Sequence, residues 1–380
     1  MKVIPFYLPQ FHETPENNKW WGDGFTEWVN VKAAKPLFEG HRQPRVPLGG
    51  NYYDLTDLDT LRWQAKLVRD YGIYGLCFYH YWFDGHLLLQ KPMELLLANK
   101  DIDLRYCISW ANEDWTNAWV SSKNTTLISQ TYGGEEQWVE HYRYLEPFFL
   151  DERYIREDGK PLVVIYRPEL IPDYRGMIEC WQRLAEESGL GGLCICVQHI
   201  NYCLSHEVET DLFDLQIEYQ PQYARYFLSK NNAGWLREKK RKVDVWLQKH
   251  FHRTLDMSVF RSESGPARAS YDEIWRTINS QRPWSSISVP CAMVDWDNTP
   301  RRGRRGWVVD GSSPEKFRRY FHDMLIRARE VYGKDYVFVF AWNEWAEGGY
   351  LEPDEDNGCA FLEAIRDSLI IEGMLPEDGL

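Results

Sequence analysis

The sequence lacks long apolar runs and any segment typical of export. No window approaches the roughly 18 apolar residues that a membrane-spanning helix needs. The N-terminus, Met1-Lys2-Val3-Ile4-Pro5, passes directly into a short strand-like run without the apolar stretch of a signal peptide. These absences predict a cytoplasmic protein with no membrane span.

Positive charge is also scarce. The chain has 44 Lys and Arg against 57 Asp and Glu, a net charge of −13, which argues against nucleic acid as the main partner. No predicted strand is followed by a G-x-G-x-x-G or a Walker A motif, so the common dinucleotide and nucleoside-triphosphate sites are not indicated. We find no internal repeat and no low-complexity segment.

Cysteine and histidine patterns typical of metal sites are missing as well. Of the eight cysteines, five lie in apolar strand-like runs, as reduced buried thiols do: Cys77, Cys107, Cys194, Cys196 and Cys291. The spacing Cys194-x-Cys196 is unlike that of structural zinc sites. Asp295 and Asp297 are not accompanied by a histidine cluster. We therefore expect no metal and no cofactor.

Aromatic residues, in contrast, are abundant: the chain has 18 Trp and 23 Tyr. These side chains combine a flat apolar face with a polar group. Sugars present apolar C–H faces and many hydroxyls, so such side chains suit an oligosaccharide or polysaccharide partner. Many of these aromatics also serve simply to fill a large core.

Strand-like and helix-like patterns alternate along the chain, which favours a parallel α/β fold. The eight predicted strands are Val3–Leu8, Tyr74–Tyr79, Leu104–Ser109, Leu162–Ile165, Leu193–Val197, Leu215–Ile217, Cys291–Val294 and Val337–Ala341. The main predicted helices are Asp57–Tyr71, Pro92–Asn99, Glu135–Phe149, Asp173–Glu187, Pro314–Tyr332 and Gly358–Glu372.

Nearly every predicted strand ends in a Trp, Tyr, His or acidic cluster. A closed barrel gathers all its strand ends into one ring, whereas a doubly wound sheet concentrates function at one switch point. We therefore predict a (β/α)₈ TIM barrel with long loops, forming one catalytic domain over residues 1–380. Residues 222–288 do not fit one strand–helix unit and are predicted to be an insertion after strand 6, with a basic helix at Trp235–Phe251.

The last predicted strand leads into the most informative segment, Trp342-Asn343-Glu344-Trp345-Ala346-Glu347-Gly348. Two glutamates three residues apart are common on solvated surfaces. Here they follow a buried strand between indoles, and Lys and Arg are absent from Val337 to Asp356. Carboxylates sharing one short loop can have their pKa values split into an acid and a base. That division of roles is what a glycosidase needs, so Glu344 and Glu347 are the predicted catalytic pair.

Other polar and aromatic side chains at strand ends are predicted to bind the glycan. They are Tyr7, Gln10, His80, Tyr81, Trp82, Trp110, Asn112, Glu113, Tyr166, Glu218, Asp295, Trp296, Trp342 and Asn343. A structural role is an open alternative for His80, an Asx-type turn for Asn112 and Glu113, and a helix cap for the segment Asp295-Trp296-Asp297-Asn298. The run Arg301-Arg302-Gly303-Arg304-Arg305 could bind an anionic glycan or a phosphate, although a solvated loop is slightly favoured. Lys239–Lys242 is predicted to be an exposed helix face.

Linked motifs along nearly the whole chain resemble those of the WbsX-type proteins. The motifs are Tyr7-Leu8-Pro9-Gln10-Phe11-His12, Trp21-Gly22-x-Gly24-Phe25-Thr26-Glu27-Trp28, Tyr79-His80-Tyr81-Trp82-Phe83 and the Glu344 segment. WbsX-type proteins occur in gene clusters for O-antigen and other surface polysaccharides and are often labelled glycosyltransferases. They are related in fold to glycoside hydrolase family 99, the endo-α-mannanases and endomannosidases, which are (β/α)₈ barrels.

The resemblance implies a mechanism for the glutamate pair. By position, Glu344 matches the base, which deprotonates the sugar 2-hydroxyl so that it attacks C1 and forms a 1,2-anhydro sugar. Glu347 matches the acid, which protonates the leaving oxygen and later activates water. Retaining hydrolysis of a surface polysaccharide is the first expectation. A glycosyltransferase using the same pair and a catalytically silent glycan-binding barrel are the alternatives.

Overall fold

The computed structural model describes residues 1–117, 125–198, 211–228, 243, 246–247 and 265–376. Nine short parallel strands form its central sheet. They are β1 (Lys2–Tyr7), β2 (Leu76–Phe83), β3 (Tyr106–Trp110), β4 (Lys160–Ile165), β5 (Cys194–Val197), β6 (Leu215–Ile217), β7 (Ser288–Val289), β8 (Cys291–Met293) and β9 (Tyr336–Phe340). Apolar side chains dominate these strands because both faces of the sheet are covered.

The strands form a nearly closed barrel. Parallel ladders join β6, β5, β4, β3, β2, β1, β9 and β8 in that order. β7 and β8 are two parts of one strand position, separated by Pro290, and β7 pairs with β6 while β8 pairs with β9. The ring therefore has eight strand positions, and the predicted (β/α)₈ barrel is confirmed.

Helices surround this barrel and lie in its loops. They are α1 (Pro15–Trp21), α2 (Glu27–Ala33), α3 (Leu58–Asp70), α4 (Lys91–Ala98), α5 (Glu135–Phe149), α6 (Tyr174–Glu187), α7 (Tyr271–Ser280), α8 (Thr299–Arg302), α9 (Pro314–Arg327) and α10 (Ala360–Ile371). A π-helical turn, Ala328–Tyr332, continues α9. Small sheets pair Trp115–Thr116 with Thr126–Ile128, Ala267–Ser270 with Trp307–Asp310, and Asn343–Glu344 with Gly349–Tyr350. Short strands His86–Leu88 and Arg156–Glu157 pair antiparallel with β2 and β4.

Several helices begin where side chains cap them. The carboxylate of Asp57 accepts from the backbone N–H of Asp59 at the start of α3, and Asp173 accepts from Gly176 at the start of α6. Ser313 accepts from Lys316 ahead of α9, whose first residue is proline. Such caps satisfy N–H groups that a helix cannot pair internally. These signals explain why the predicted starts of the three helices agree closely with the structure.

The predicted insertion is described only in part. Residues 222–228 are helical, and α7 lies within the predicted range. Trp275 of α7 stacks on Tyr320 of α9 at 5.7 Å between ring centres, so α7 packs on the barrel's helical layer. The domain boundaries thus stay a prediction. The predicted helix Trp235–Phe251 lies almost wholly outside the described residues, and the basic run Lys239–Lys242 lies entirely outside them.

Aromatic rings fill the barrel toward the carboxyl ends of its strands. Phe6 stacks on Tyr79 and meets the edge of Tyr219, and the two tyrosine hydroxyls are 2.9 Å apart. Tyr219 also meets Phe340 edge to face. Because aromatic rings pack tightly in edge-to-face and stacked arrangements, these side chains form a rigid layer at the carboxyl ends of the strands. Among the described residues, no helix has the length and apolar character to cross a membrane.

Candidate active site

A cavity of about 400 Å³ opens at the carboxyl ends of the strands. Its walls come from β2 itself and from the segments that follow β1, β3, β4, β6, β8 and β9, so the strand-end clusters converge as the barrel predicts. Its lining includes Leu8, Gln10, Trp21, Phe25, Glu27, Tyr79, Tyr81, Glu113, Asp114, Trp115, Tyr166, Tyr219, Trp296, Arg301, Glu344 and Glu347. Acids, indoles and phenols therefore face one space.

The loop after β9 is fixed to the barrel at its first turn. Asn343 forms a reciprocal pair with the backbone of Leu8: its amide oxygen accepts from the Leu8 N–H at 2.7 Å, and its amide nitrogen donates to the Leu8 carbonyl at 3.0 Å. The backbone N–H of Trp342 donates to the carbonyl of Phe6 at 2.7 Å. These bonds tie the loop to the end of β1 and so fix the direction of Glu344.

The far end of the loop is fixed by Asp297. Its backbone N–H donates to the carbonyl of Glu347 at 2.6 Å. Gly348 follows with φ of +71°, and a Cβ there would lie 2.7 Å from the Asp297 nitrogen, so only glycine fits. The Asp297 carboxylate is itself held by His41 and Gln43, each at 2.7 Å. Burial alone would raise the pKa of Asp297, but hydrogen bonds from His41, Thr299 and Gln43 and the positive charge of Arg45 lower it to about 2.

Glu352 anchors the two indoles on either side of Glu344. Its buried carboxylate accepts from the ring N–H of Trp342 at 2.9 Å and of Trp345 at 2.8 Å. It also accepts from Tyr53 and Gln64, each at 2.7 Å. One acid thus connects two residues of the loop after β9 with Gln64 of α3 and with Tyr53, which precedes α3.

Glu352→Gln is expected to destabilise the protein and flatten its pH dependence. Burial raises the Glu352 pKa to about 7 although its four hydrogen bonds lower it. Because the folded pKa is raised, the contribution of this group to stability is full below about pH 4.5 and is lost as pH rises through 7. Glutamine removes that titration and places an amide against the four donors, costing about 1–3 kcal/mol per donor left unsatisfied.

Denaturant unfolding of the wild type and of Glu352→Gln, measured from pH 4.5 to 8, checks this expectation. Glu363→Gln, an exposed change on α10, is the matched control and should leave the slope unaltered. An unchanged slope for Glu352→Gln would show that Glu352 does not titrate in this range.

Arg301 is the centre of the acidic cluster. Its guanidinium donates to Glu27 at 2.8 Å, to Glu347 at 2.8 Å and to Glu344 at 3.3 Å. All four side chains are nearly buried, the most accessible being Glu347 at 11%. Burial would lower the pKa of Arg301, but the three carboxylates hold it well above the usual value. Arg301 is therefore charged and shared among three acids.

Burial raises the pKa values of Glu344 and Glu347, whereas it acts to lower that of Arg301. It raises the pKa of Glu344 to about 8 and also raises that of Glu347, while the positive charge of Arg301 opposes both shifts. Arg302 opposes the shift of Glu347 as well. Two interacting acids titrate as a pair, so one proton is retained by the pair near neutral pH. Because Arg301 lies closer to Glu347, the resting proton is better placed on Glu344.

Seven of the predicted site residues line the cavity: Gln10, Tyr81, Glu113, Tyr166, Trp296, Glu344 and Glu347. Glu113 is held by an ion pair with Arg167, which also binds Glu169 at 2.8 Å. Tyr81 lies edge to face against Trp115 on the same wall. Their functional roles remain predictions, but the structure brings all seven to one cavity.

Nine predicted residues lie behind the cavity wall. Tyr7 donates to Gln64, Glu218 accepts from Tyr332 and Trp284, and Asp295 pairs with Arg45. Asn112 pairs reciprocally with the backbone of Arg167, while Trp342 and Asn343 hold the loop after β9 to Glu352 and Leu8. The remaining three are His80, Trp82 and Trp110.

His80, Trp82 and Trp110 form a buried stack. The imidazoles of His80 and His141 are 2.9 Å apart at Nε2, and Trp82 stacks on His141 at 4.6 Å between ring centres. Trp110 meets His141 edge to face. Burial lowers the pKa of His80 to about 3, so this ring is neutral. The structure thus places His80 in the satisfied structural setting that was the alternative interpretation, and it places both indoles away from the cavity.

Sequence reasoning missed Glu27, Trp21 and Trp115 as site residues, and it considered Arg301 only as part of a basic run that could bind an anionic group. The expectation of a solvated loop is wrong for Arg301, whose side chain is 6% exposed because it neutralises three acids. The only sequence signal for Glu27 is the motif Phe25-Thr26-Glu27-Trp28, which contains it. Nothing in the linear order indicates that residues 27 and 301 meet.

The described residues hold no group of three or more His, Cys, Asp or Glu side chains arranged for a metal ion. The seven described cysteines are free, and six of them are buried. The five cysteines of the strand-like runs are among the six, as predicted.

The structure is thus a (β/α)₈ barrel with an acid-lined cavity at the carboxyl ends of its strands. Comparison with known proteins then identifies the family to which the chain belongs. The family model described as glycosyltransferase WbsX matches residues 3–365. The chain belongs to this family. It is 34% identical over 375 residues to WxcX of Xanthomonas campestris strain B100, a protein described as uncharacterized. A second strain, ATCC 33913, has a WxcX with the same identity. The match covers 97% of this chain and 49% of each relative, so the chain spans about half their length.

Solved structures share the fold. The family 99 endo-α-mannosidase of Bacteroides thetaiotaomicron aligns with a TM-score of 0.53 and 15% identity, covering 98% of this chain and 97% of that one. A chain described as a glycoside hydrolase-like protein aligns with a TM-score of 0.56 and 13% identity, covering 97% and 93%. At these identities the likeness establishes the barrel fold alone.

Proposed function

We propose that this protein is a carbohydrate-active enzyme that cleaves glycosidic bonds in a surface-type polysaccharide, with Glu344 and Glu347 as its acid–base pair. The observation that carries the proposal is the buried pair itself: two carboxylates with raised pKa values in a cavity of about 400 Å³. General acid–base catalysis needs a proton donor and an acceptor that both operate near neutral pH.

The cavity walls support a sugar as the ligand. Trp21, Phe25, Trp115 and Trp296 offer apolar faces, and Gln10, Asn30 and Asn298 offer amide groups for hydroxyls. Concave sites with apolar walls and a few convergent polar groups are typical of small-molecule binding. The acidic chain and its aromatic cavity both fit a glycan better than a nucleic acid.

The proposed chemistry follows the mechanism implied by the family resemblance. Glu344 takes the proton of the sugar 2-hydroxyl, its oxygen bonds to C1, and the bond from C1 to the leaving oxygen breaks. Glu347 gives its proton to that oxygen. Water then opens the 1,2-anhydro sugar, with Glu347 taking a proton from water and Glu344 returning one to the 2-oxygen. Arg301 engages one oxygen of each glutamate, so the other oxygen is available to the sugar.

The proposed scheme requires the proton shared by Glu344 and Glu347 to change position before the reaction starts. With Arg301 nearer Glu347, the proton of the free enzyme is better placed on Glu344, whereas the scheme starts with it on Glu347. We infer that sugar binding moves the proton within the pair, as a hydroxyl aimed at Glu344 favours its ionised form. The pair is therefore best described as sharing one proton.

A glycosyltransferase is the second candidate, favoured by the description of the matching family. It would use the same pair with a sugar hydroxyl in place of water. A glycan-binding barrel without catalysis is the third. The three candidates differ in products, so one experiment separates them.

That experiment incubates the protein with a panel of bacterial polysaccharides, with and without nucleotide-sugars, and sizes the products. Shortened chains without any nucleotide-sugar support hydrolysis. Products that appear only with a nucleotide-sugar replace hydrolysis by transfer. Binding of several glycans with no turnover of any would support the silent barrel.

Trp21→Ala is expected to weaken glycan binding by roughly five- to tenfold. Trp21 lines the cavity and is half-buried against Phe25, so its ring is suited to a sugar face. Loss of one aromatic contact costs about 1–1.4 kcal/mol. Trp20→Ala is the matched control: Trp20 is also half-buried and touches Trp21 and Trp115, but it does not line the cavity. Calorimetric titration with a bound glycan checks both; equal losses would reject stacking on Trp21.

A further inference from the structure

One wall of the cavity carries two arginines that the proposed acid–base chemistry does not use. Arg225 follows β6 and Arg302 ends α8, and both line the cavity. The guanidinium carbon of Arg225 lies 4.6 Å from the ring centre of Trp307. The N–H of Trp307 donates to the Asn298 side chain at 2.8 Å, and the carbonyl of Asn298 accepts from the Arg302 N–H at 3.0 Å. These contacts link the positions of Arg225 and Arg302, and both side chains line the same cavity; we call the pair the arginine wall.

Arg302 differs from the arginine beside it. Arg301 is nearly buried and shared among three carboxylates. Arg302 is half-buried, and within the part of the chain that the structure describes its side chain has no ion pair or hydrogen bond. A guanidinium that lines a cavity in this state offers several N–H donors to a ligand. Its planar donors match the geometry of a carboxylate or a phosphate.

The cavity wall opposite the arginine wall carries acidic side chains. Glu113 and Asp114, which follow β3, also line the cavity, and Glu113 is already paired with Arg167. The chain as a whole carries a net charge of −13, so an acidic polymer would be repelled by most of the surface. A local cationic patch inside the cavity is the feature that would overcome this repulsion and orient such a polymer.

We propose that Arg225 and Arg302 form a subsite for an anionic group of the substrate, a carboxylate or a phosphate, beside Glu347. The proposal rests on the proposed function, because it places this group on a glycan bound in the same cavity. The acid–base pair would then act on a linkage next to an acidic sugar. Arg225, stacked on Trp307, supplies a held guanidinium, and Arg302 supplies the second.

The test compares acidic polymers with their neutral counterparts. Polysaccharides containing uronic acid, and the same polymers after chemical reduction of their carboxyl groups, are offered to the protein and to Arg225→Gln, Arg302→Gln and the double variant. We expect the double variant to lower the ratio of kcat/KM on the acidic polymer to kcat/KM on the reduced polymer at least tenfold, mainly through KM for the acidic polymer. Because Arg302 also acts on the pKa of Glu347, any effect of its loss on the acid–base pair should appear equally with both polymers and leave this ratio unchanged. Arg304→Gln, an exposed arginine of the same loop that does not line the cavity, is the matched control.

A parallel arm separates the two sources of an anionic group. Binding of phosphorylated polysaccharides and of nucleotide-sugars is measured by calorimetry for the same variants. Loss of nucleotide-sugar binding in the double variant would support the anion subsite while replacing hydrolysis by transfer. Equal losses on acidic and reduced polymers, or a loss matched by Arg304→Gln, would overturn the subsite. If no polymer is turned over, the binding of the acidic polymer still decides about the arginines, so the two proposals fail separately.

Discussion

Glu347→Gln is expected to lower the cleavage of a natural glycan by a factor of roughly 10² or more, in line with the contribution of a general acid. Glutamine keeps the shape of the side chain and its contact with Arg301 but cannot give a proton to the leaving oxygen. A synthetic glycoside with a good leaving group needs less protonation and should lose much less activity. Rates on both substrates, measured for the variant and the wild type, check the expectation.

Glu344→Gln should impair both substrates, because attack by the 2-hydroxyl precedes either outcome. Glycan binding should survive in both variants, since neither change removes the aromatic walls. Glu355→Gln, an exposed acid a few residues further along the chain, is the control and should keep full activity. If both active-site variants retain full activity on a demonstrated substrate, the pair is structural and the proposed function is wrong.

Replacing Arg301 by Met should destabilise the protein severely. Removing one partner of a buried ion pair typically costs about 3–5 kcal/mol, because the remaining charge is left buried. Arg301 serves Glu27, Glu344 and Glu347, all nearly buried, so water in the cavity can replace only part of its stabilising charge. Without Arg301, Glu344 and Glu347 bind protons more readily, and their pKa values rise further above the ordinary range.

The pH dependence follows from the sign of that shift. A carboxyl group with a raised folded pKa contributes stability that is full below its unfolded pKa of about 4.3 and is lost as pH rises through the folded value. The penalty of Arg301→Met should therefore be smaller at pH 5 than at pH 8. Denaturant unfolding at the two pH values measures it.

Two further variants keep this prediction testable. Arg301→Lys retains a charge but cannot hold three carboxylates with one ammonium group, so we expect an intermediate loss of stability. Arg304→Met removes a charge from the same loop at an exposed position and should change stability little. A penalty for Arg301→Met that is equal at both pH values would show that the glutamates do not depend on Arg301 for their ionisation.

The fold could be predicted because each strand and helix of the barrel has a signal in its own stretch of sequence. The apolar run Val337–Ala341 and the observed strand Tyr336–Phe340 differ by one residue, and helix Glu135–Phe149 has the predicted bounds. Caps such as Asp57 and Asp173 mark helix starts through their immediate neighbours. The predicted insertion was harder, because the long segment between β6 and β7 contains α7, whose packing on α9 is not visible in sequence.

The candidate site was predictable only in outline. Placing Glu344 and Glu347 in a loop after a buried strand requires local information alone, and the barrel brings that loop to the mouth. Whether a strand-end side chain enters the cavity or packs behind it depends on the side of the pleated strand from which it projects and on the helix that packs outside the barrel. Trp82 follows Tyr81 by one residue, yet Tyr81 lines the cavity and Trp82 stacks on His141 in α5.

The sequence by itself determined the alternation of strands and helices, the acidic pair and the abundance of aromatics, since each is a property of neighbouring residues or of composition. Only the tertiary structure decided the charges around that pair. Arg301 lies 43 positions from Glu344 and 274 from Glu27, and the ion pairs form because a closed barrel brings separate loops within 3.3 Å. Burial in that setting, rather than residue type, raises the glutamate pKa values, and burial is a property of the folded chain.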